Sequence, residues 1–153
     1  MELKTRVDAP AGRQEMIITR EFELPVDLLF QAYTDPEIVA QWMSTKVIRL
    51  DNRAHGSWKF ETSDPSGNVV FSANGAIHSI IENEQIIRTF EMENTGFPVQ
   101  LEFLHFHALT EESSKLTMHV IYKSVADRDN ILKMPFARGI SMAHDRLQSI
   151  LKP

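Results

Sequence analysis

His105 and His107, two positions apart, are the residues with the most chemical promise in this chain. Side chains two apart on a strand share a face, so a strand over residues 98–109 presents both imidazoles beside Val99, Leu101 and Phe103. Titrating near neutral pH, such a pair can orient a polar ligand or act as acid and base. The opposite parity is also open: Leu104 and Phe106 are equally apolar. A bulge near Leu104 would bring these two inside and leave both histidines in solvent. His144 is the third candidate, set between Ile140 and Leu147 at helical spacing and so on or beside a buried stripe. His119 alternates with Leu116, Met118, Val120 and Tyr122 and is expected to point outward, as is Glu102 between Leu101 and Phe103. His55 falls in a turn, and His78 fits either face. A metal would need a third ligand beside the pair, and with no cysteine only His78, His144 or a carboxylate remains. No metal or other cofactor is expected. No Ser-His-Asp set, phosphate loop or nucleotide fingerprint is visible.

The element that must position these groups is the last stretch, Ala126 to Leu151, which reads as one long helix. Leu132, Phe136, Ile140, Ala143, Leu147 and Leu151 make its apolar stripe. Pro135 removes a backbone donor and pushes Met134 out of helical geometry, so the helix should kink or start afresh there. Gly139, one turn on, is expected to let backbone or ligand approach closely. Ahead of this helix, Met16–Leu24 alternates as a half-buried strand, and Val26–Tyr33 and Pro36–Trp42 read as two short helices, the second capped by Asp35. Six strands follow, over residues 46–50, 57–62, 69–81, 86–92, 98–109 and 115–123, joined by turns such as Asp64–Asn68 and Asn94–Gly96. Gly75 reads as a bulge or bend. Short turns between strands imply an antiparallel meander with the long helix on one face. A broken helix gripped by a sheet suggests a cavity, whose apolar walls would be Trp42, Trp58, Phe60, Phe103, Met118, Phe136 and Ile140. Its polar end would be His105, His107 or His144.

Composition narrows the classes. A chain of 153 residues, 42% hydrophobic and 24% charged, is long enough for one domain with a real core. Residues 1–14 carry no periodicity and are expected to be a loose tail before a domain over 15–153. The net charge of −5, without a basic cluster, argues against nucleic acid. No apolar run reaches the length of a membrane span, and no signal-peptide pattern is present. With no cysteines, a cytoplasmic location is the default expectation.

Several stretches together resemble the START-like (helix-grip, SRPBCC) superfamily, in particular the branch related to the heat-shock protein 90 ATPase activator. They are Thr19–Pro25, Ala32–Glu37 with Gln41-Trp42, His55–Phe60, and the glycines at 75 and 139. The sequence departs from that pattern at Met43, Pro135 and His144, where Trp, Gly and Leu are usual. The resemblance implies an α+β fold in which a curved antiparallel sheet of seven strands or fewer wraps a long C-terminal helix, with a pocket between them. Fold does not fix function, so three readings follow. The first is binding of a small hydrophobic or amphipathic ligand in that cavity. The second is a protein-interaction role with a chaperone. The third is an enzyme, a polyketide cyclase-like activity or other lyase, though nothing in the residues argues strongly for catalysis. Monomer and homodimer are both compatible with the sequence.

Overall fold

Short polar turns leave each strand little choice of partner, and the sheet is built by them. The structure, a computed structural model, describes residues 2–152. Its strands are β1 (Arg6–Asp8), β2 (Glu15–Phe22), β3 (Lys46–Leu50), β4 (Ser57–Ser63), β5 (Val69–Ile81), β6 (Gln85–Met92), β7 (Gln100–Thr110) and β8 (Ser113–Ile121). The β4–β5 turn is set by the Asp64 carboxylate, which accepts the backbone N–H groups of Ser66 and Asn68, both at 2.9 Å. Asn83 and Asn94 sit in left-handed backbone at φ 62° and 61° in the next two turns, as asparagine tolerates. All neighbours are antiparallel, in the order β1-β2-β8-β7-β6-β5-β4-β3.

Between β2 and β3 the chain forms α1 (Val26–Thr34) and α2 (Pro36–Trp42). Asp35 caps α2 as its sequence predicts, accepting the Glu37 N–H at 2.9 Å, with Pro36 in the first position where its missing donor is not needed. The Trp42 indole N–H donates to Ala32 O at 2.6 Å and ties α2 to α1. The C-terminal helix is two helices, α3 (Val125–Lys133) and α4 (Phe136–Leu151). Met134 is extended at ψ 161°, as a residue before proline prefers. Pro135, at φ −72° and ψ 52°, is the centre of an inverse γ-turn closed by Phe136 N–H to Met134 O at 2.6 Å. The helix therefore starts afresh. The α+β helix-grip architecture is present: a curved sheet with α4 laid over its inner face.

Three sequence expectations are corrected. The residues before Glu15 are not a loose tail. Arg6, Val7 and Asp8 pair with Thr19, Ile18 and Ile17, adding an eighth strand to the sheet. The C-terminal helices hold this segment: Arg128, 2% exposed, donates to Pro10 O at 2.6 Å, and buried Thr5 bonds His144. Gly75 is not a bulge; the register slips between Ile77 and Ser79 instead. A Cβ at Gly75 would stand 2.0 Å from Thr89 O and 2.5 Å from Trp58 Nε1, so this glycine makes the space that the Trp58 ring fills. No backbone approaches Gly139 closely, because a Cβ there would meet nothing within 4 Å.

That last result has a measurable consequence. Gly139 lies inside α4 and is exposed, so alanine costs nothing sterically and removes backbone entropy from the unfolded chain. Gly139→Ala is expected to stabilise the protein by about 0.5–1 kcal/mol in urea unfolding. A neutral or destabilising result would mean that this turn of α4 packs against something.

Candidate functional site

The sheet's inner face and α4 do not close on each other. Between them lies an apolar cavity of about 280 Å³. Its floor is the inward parity of the middle strands: Ile18 of β2, Arg88, Phe90 and Met92 of β6, Glu102 of β7, and Met118 of β8. Tyr33, Trp42 and Met43 close one side from α1 and α2. Overhead are Met134 and Pro135 from the turn between α3 and α4, Phe136 and Ile140 from the start of α4, then His144. The stripe on α4 thus works in two halves. Phe136 and Ile140 are half-buried against the cavity, whereas His144 and Leu147 are fully seated, at 1% and 0% exposure. A wider hollow of about 780 Å³, bordered by Asp27, Gln31, Asn52 and Glu82 together with Phe30, Pro36 and Ile80, is more open to solvent and mixed in polarity.

Two polar features interrupt the apolar wall. One is an ion pair on neighbouring strands, Arg88 Nε to Glu102 Oε1 at 2.9 Å, with both side chains under 9% exposed. Gln100 Nε2 donates to the other carboxylate oxygen at 2.8 Å, and the guanidinium lies 5.1 Å over the Trp58 ring. The other is His144, whose Nδ1 shares a 2.8 Å hydrogen bond with Thr5 Oγ1 and whose ring meets the Phe22 ring edge-on at 5.7 Å. Burial, then the nearby Arg20 guanidinium, pushes its pKa down to about 3, only partly opposed by Asp145. The imidazole is neutral at physiological pH. Tyr33 also borders the cavity, and burial raises its phenol well above the usual range, so it stays protonated as a donor.

Of the residues singled out from sequence, Trp42, Met118, Phe136, Ile140 and His144 border this one cavity. Trp58 and Phe60 do not. Both are 1% exposed in a second core cluster with Val39, Ala73 and Ile77, and Trp58 lies against Arg88. Phe103, His105 and His107 are on the opposite, outer face of the sheet. No bulge is needed to put them there: β7 pairs regularly from residue 101 to 108 with Glu102, Leu104 and Phe106 buried. His105 and His107 stack at 6.2 Å, and Phe103 lies 5.9 Å from His119, which points outward as expected and bonds Glu15 at 2.6 Å. Glu102 is the corresponding correction, expected in solvent and found 3% exposed.

Arg88, Glu102, Gln100 and Tyr33 were therefore missed. For the first two a signal existed. A β6–β7 hairpin whose turn is centred on Thr95 pairs residues equidistant from it, and Arg88 opposes Glu102 in that register. Opposite charges directly across a strand pair favour each other, so the pairing of Arg88 with Glu102 is readable even though its burial is not. Among the described residues no group of three or more His, Asp or Glu is placed to hold a metal, and no helix is long and apolar enough to cross a membrane.

Comparison with known proteins agrees with this geometry. The family profile described as Activator of Hsp90 ATPase homolog 1-like protein matches residues 23–152. Protein Ms6760 of Mycobacterium smegmatis is 23% identical over 97% of each chain, with a TM-score of 0.81. A protein of Rhodobacter sphaeroides is 18% identical over 97% of each chain at TM-score 0.85, and one of Arthrobacter aurescens is 15% identical, covering 95% of this chain and 90% of its own, also at 0.85. At these identities the likeness is one of fold. No curated protein matches the chain.

His144 makes stability depend on pH in a stated direction. Its pKa is lower folded, about 3, than the ordinary 6.5 of an unfolded chain, so the unfolded state takes up the proton first. The stabilisation is complete above pH 6.5 and is lost as pH falls toward 3. Between pH 6.5 and about 5, before most carboxylates titrate, the protein should lose about 2 kcal/mol in urea unfolding. His144→Leu should flatten that slope; an unchanged slope would assign the acid sensitivity elsewhere.

Proposed function

The chain belongs to the Activator of Hsp90 ATPase homolog 1-like family, within the START-like superfamily, and from this premise we propose that it binds one small, largely apolar molecule between sheet and α4. The observation that carries the reading is the cavity itself: about 280 Å³ of space under a helix, walled by apolar side chains and interrupted by few polar ones. That volume stands at the lower end of the range for small-molecule sites, which favours a compact one- or two-ring or short-chain ligand over a long lipid. Leaving such a space unfilled costs packing energy, so a folded chain that keeps it has a use for it. The amphipathic character of the ligand follows from the walls, with an apolar body against Phe136, Ile140 and Met118 and a polar end at His144 or the Arg88–Glu102 pair.

The chaperone-associated reading draws on the family's description, and the lyase reading on the ionisable groups bordering the cavity; the geometry gives neither a feature as specific as the cavity. The lyase reading also loses its acid–base pair, since His105 and His107 lie on the outer face.

Filling the space tests the proposal. Wild type should bind the neutral fluorophore N-phenylnaphthylamine with one-to-one stoichiometry and a blue-shifted emission. Ile140→Trp, which projects an indole into the cavity, should weaken that binding by about tenfold or more while the protein stays folded. His107→Ala, on the outer face, should leave it unchanged. Equal loss in both variants, or none in Ile140→Trp, would place the fluorophore outside the cavity.

A further inference from the structure

Resting on the cavity reading, we infer that the ligand carries a neutral hydrogen-bond acceptor, such as a ketone, ester or amide carbonyl, that Arg88 binds, and that Glu102 excludes the corresponding free acid. The argument is an inventory of donors, acceptors and charges at the polar end of the cavity. Arginine has five N–H donors. Among the described residues only the Nε–H of Arg88 has a hydrogen-bond partner, Glu102 Oε1 at 2.9 Å. The N–H groups on Nη1 and Nη2 have none. They are not sealed away either: the fully buried, unpartnered side-chain atoms among the described residues are Trp58 Nε1 and Tyr122 Oη. Arg88 is 7% exposed and borders the cavity, so its open donors face that space. The guanidinium carbon lies 5.1 Å over the Trp58 ring, a cation–π contact that helps to hold the group in place.

Charge then selects among acceptors. Glu102 has each carboxylate oxygen engaged, one by Arg88 and one by Gln100 at 2.8 Å, and with Arg88 it makes a neutral pair. A second carboxylate arriving at Arg88 would leave this corner of an apolar cavity with a net negative charge, at a cost of several kilocalories per mole for an uncompensated buried ion. Among the described residues no free cation borders the cavity to offset it, and Arg20 beside His144 is itself paired with Asp145 at 2.7 Å. A neutral carbonyl oxygen accepts the open donors and adds no charge. Tyr33, on the same wall, supplies a further hydroxyl donor. The corner therefore offers donors and asks for an acceptor.

Three probes of one shape test this: methyl naphthyl ketone, isopropylnaphthalene and naphthoate, titrated near neutral pH by quenching of Trp42, which borders the cavity. In the wild type the ketone should bind at least about tenfold tighter than naphthoate, as expected when a hydrogen bond to a charged group is made rather than a buried charge left unpaired. Glu102→Gln removes the repelling charge and should raise naphthoate affinity relative to the ketone by about tenfold or more. That variant leaves Arg88 unpaired and is at risk of unfolding, so a second removes both charges. Arg88→Met with Glu102→Leu replaces the pair by apolar side chains of similar size, a change that is commonly neutral or stabilising. In it the affinity ratio of ketone to isopropylnaphthalene should fall by about tenfold. An unchanged ratio there, or naphthoate binding the wild type more tightly than the ketone, would overturn the inference while the cavity reading stands. Failure of all three probes to bind would overturn the cavity reading and this inference with it.

Discussion

The inward-facing ion pair of Arg88 and Glu102 constrains everything around it. Both side chains project from the middle of the sheet toward the helices, on antiparallel strands joined by the connection over residues 93–99. A buried pair of this kind contributes little net stability, because the desolvation of two charges offsets most of their attraction, and apolar replacements are often neutral or better. It survives only with company. Gln100 takes the second carboxylate oxygen, and the guanidinium lies over the Trp58 ring. Gly75 in turn makes room for Trp58, since any Cβ there would strike the indole. An apolar helix face laid directly on the pair would strip its remaining hydration. The helix instead passes above with Phe136 and Ile140 half-buried, and the space between them is the cavity.

The helix is held where the pair is not. Asp145 accepts Arg20 at 2.7 Å, the Gln148 side-chain oxygen accepts the Glu23 N–H at 2.8 Å, and Arg146 donates to Trp42 O at 2.6 Å. All three contacts lie in the second half of α4, beside the fully buried His144 and Leu147. Among the described residues, 136–143 make no side-chain hydrogen bond at all. One end of α4 is therefore anchored to β2 and α2, while the other lies over the cavity with Phe136 and Ile140 packed half-buried at the edge of the core.

Much of this architecture is legible in the sequence, and the illegible parts share a cause. Strands over residues 46–123, the Asp35 cap and the restart at Pro135 follow from local chemistry: turn residues, a capping carboxylate, a missing donor. The facing of β7 does not, because its two parities are nearly equal in apolar content, with Leu101 and Phe103 on one and Leu104 and Phe106 on the other. What breaks the tie is Glu102, and a lone carboxylate points to solvent unless its partner is seen. Its partner sits fourteen residues away. The N-terminal strand is illegible for the same reason, since its order comes from His144 and Arg128, more than a hundred residues distant. Trp58 and Phe60 share the inward face but pack in a separate core and do not line the cavity, because alternation gives a face and not a depth.

The errors of local reading thus gather at the site, as expected where a sequence departs from the simplest way of filling its fold. Glu102 and Arg88 occupy positions that an ordinary core would give to apolar residues, and His144 occupies one on the apolar stripe of α4. Pro135 breaks a helix that would otherwise run unbroken over the sheet. These departures are coupled in space. Met134 is 45% exposed and still borders the cavity, and exposed Pro135 does so too, so the inverse γ-turn between α3 and α4 is where the cavity meets solvent. In the proposed binding role, a proline opens the cavity at one end and a charge pair on the floor selects what enters. The anchored half of α4 keeps the two in register, which is why its own polar contacts reach to β2 and α2 rather than into the cavity.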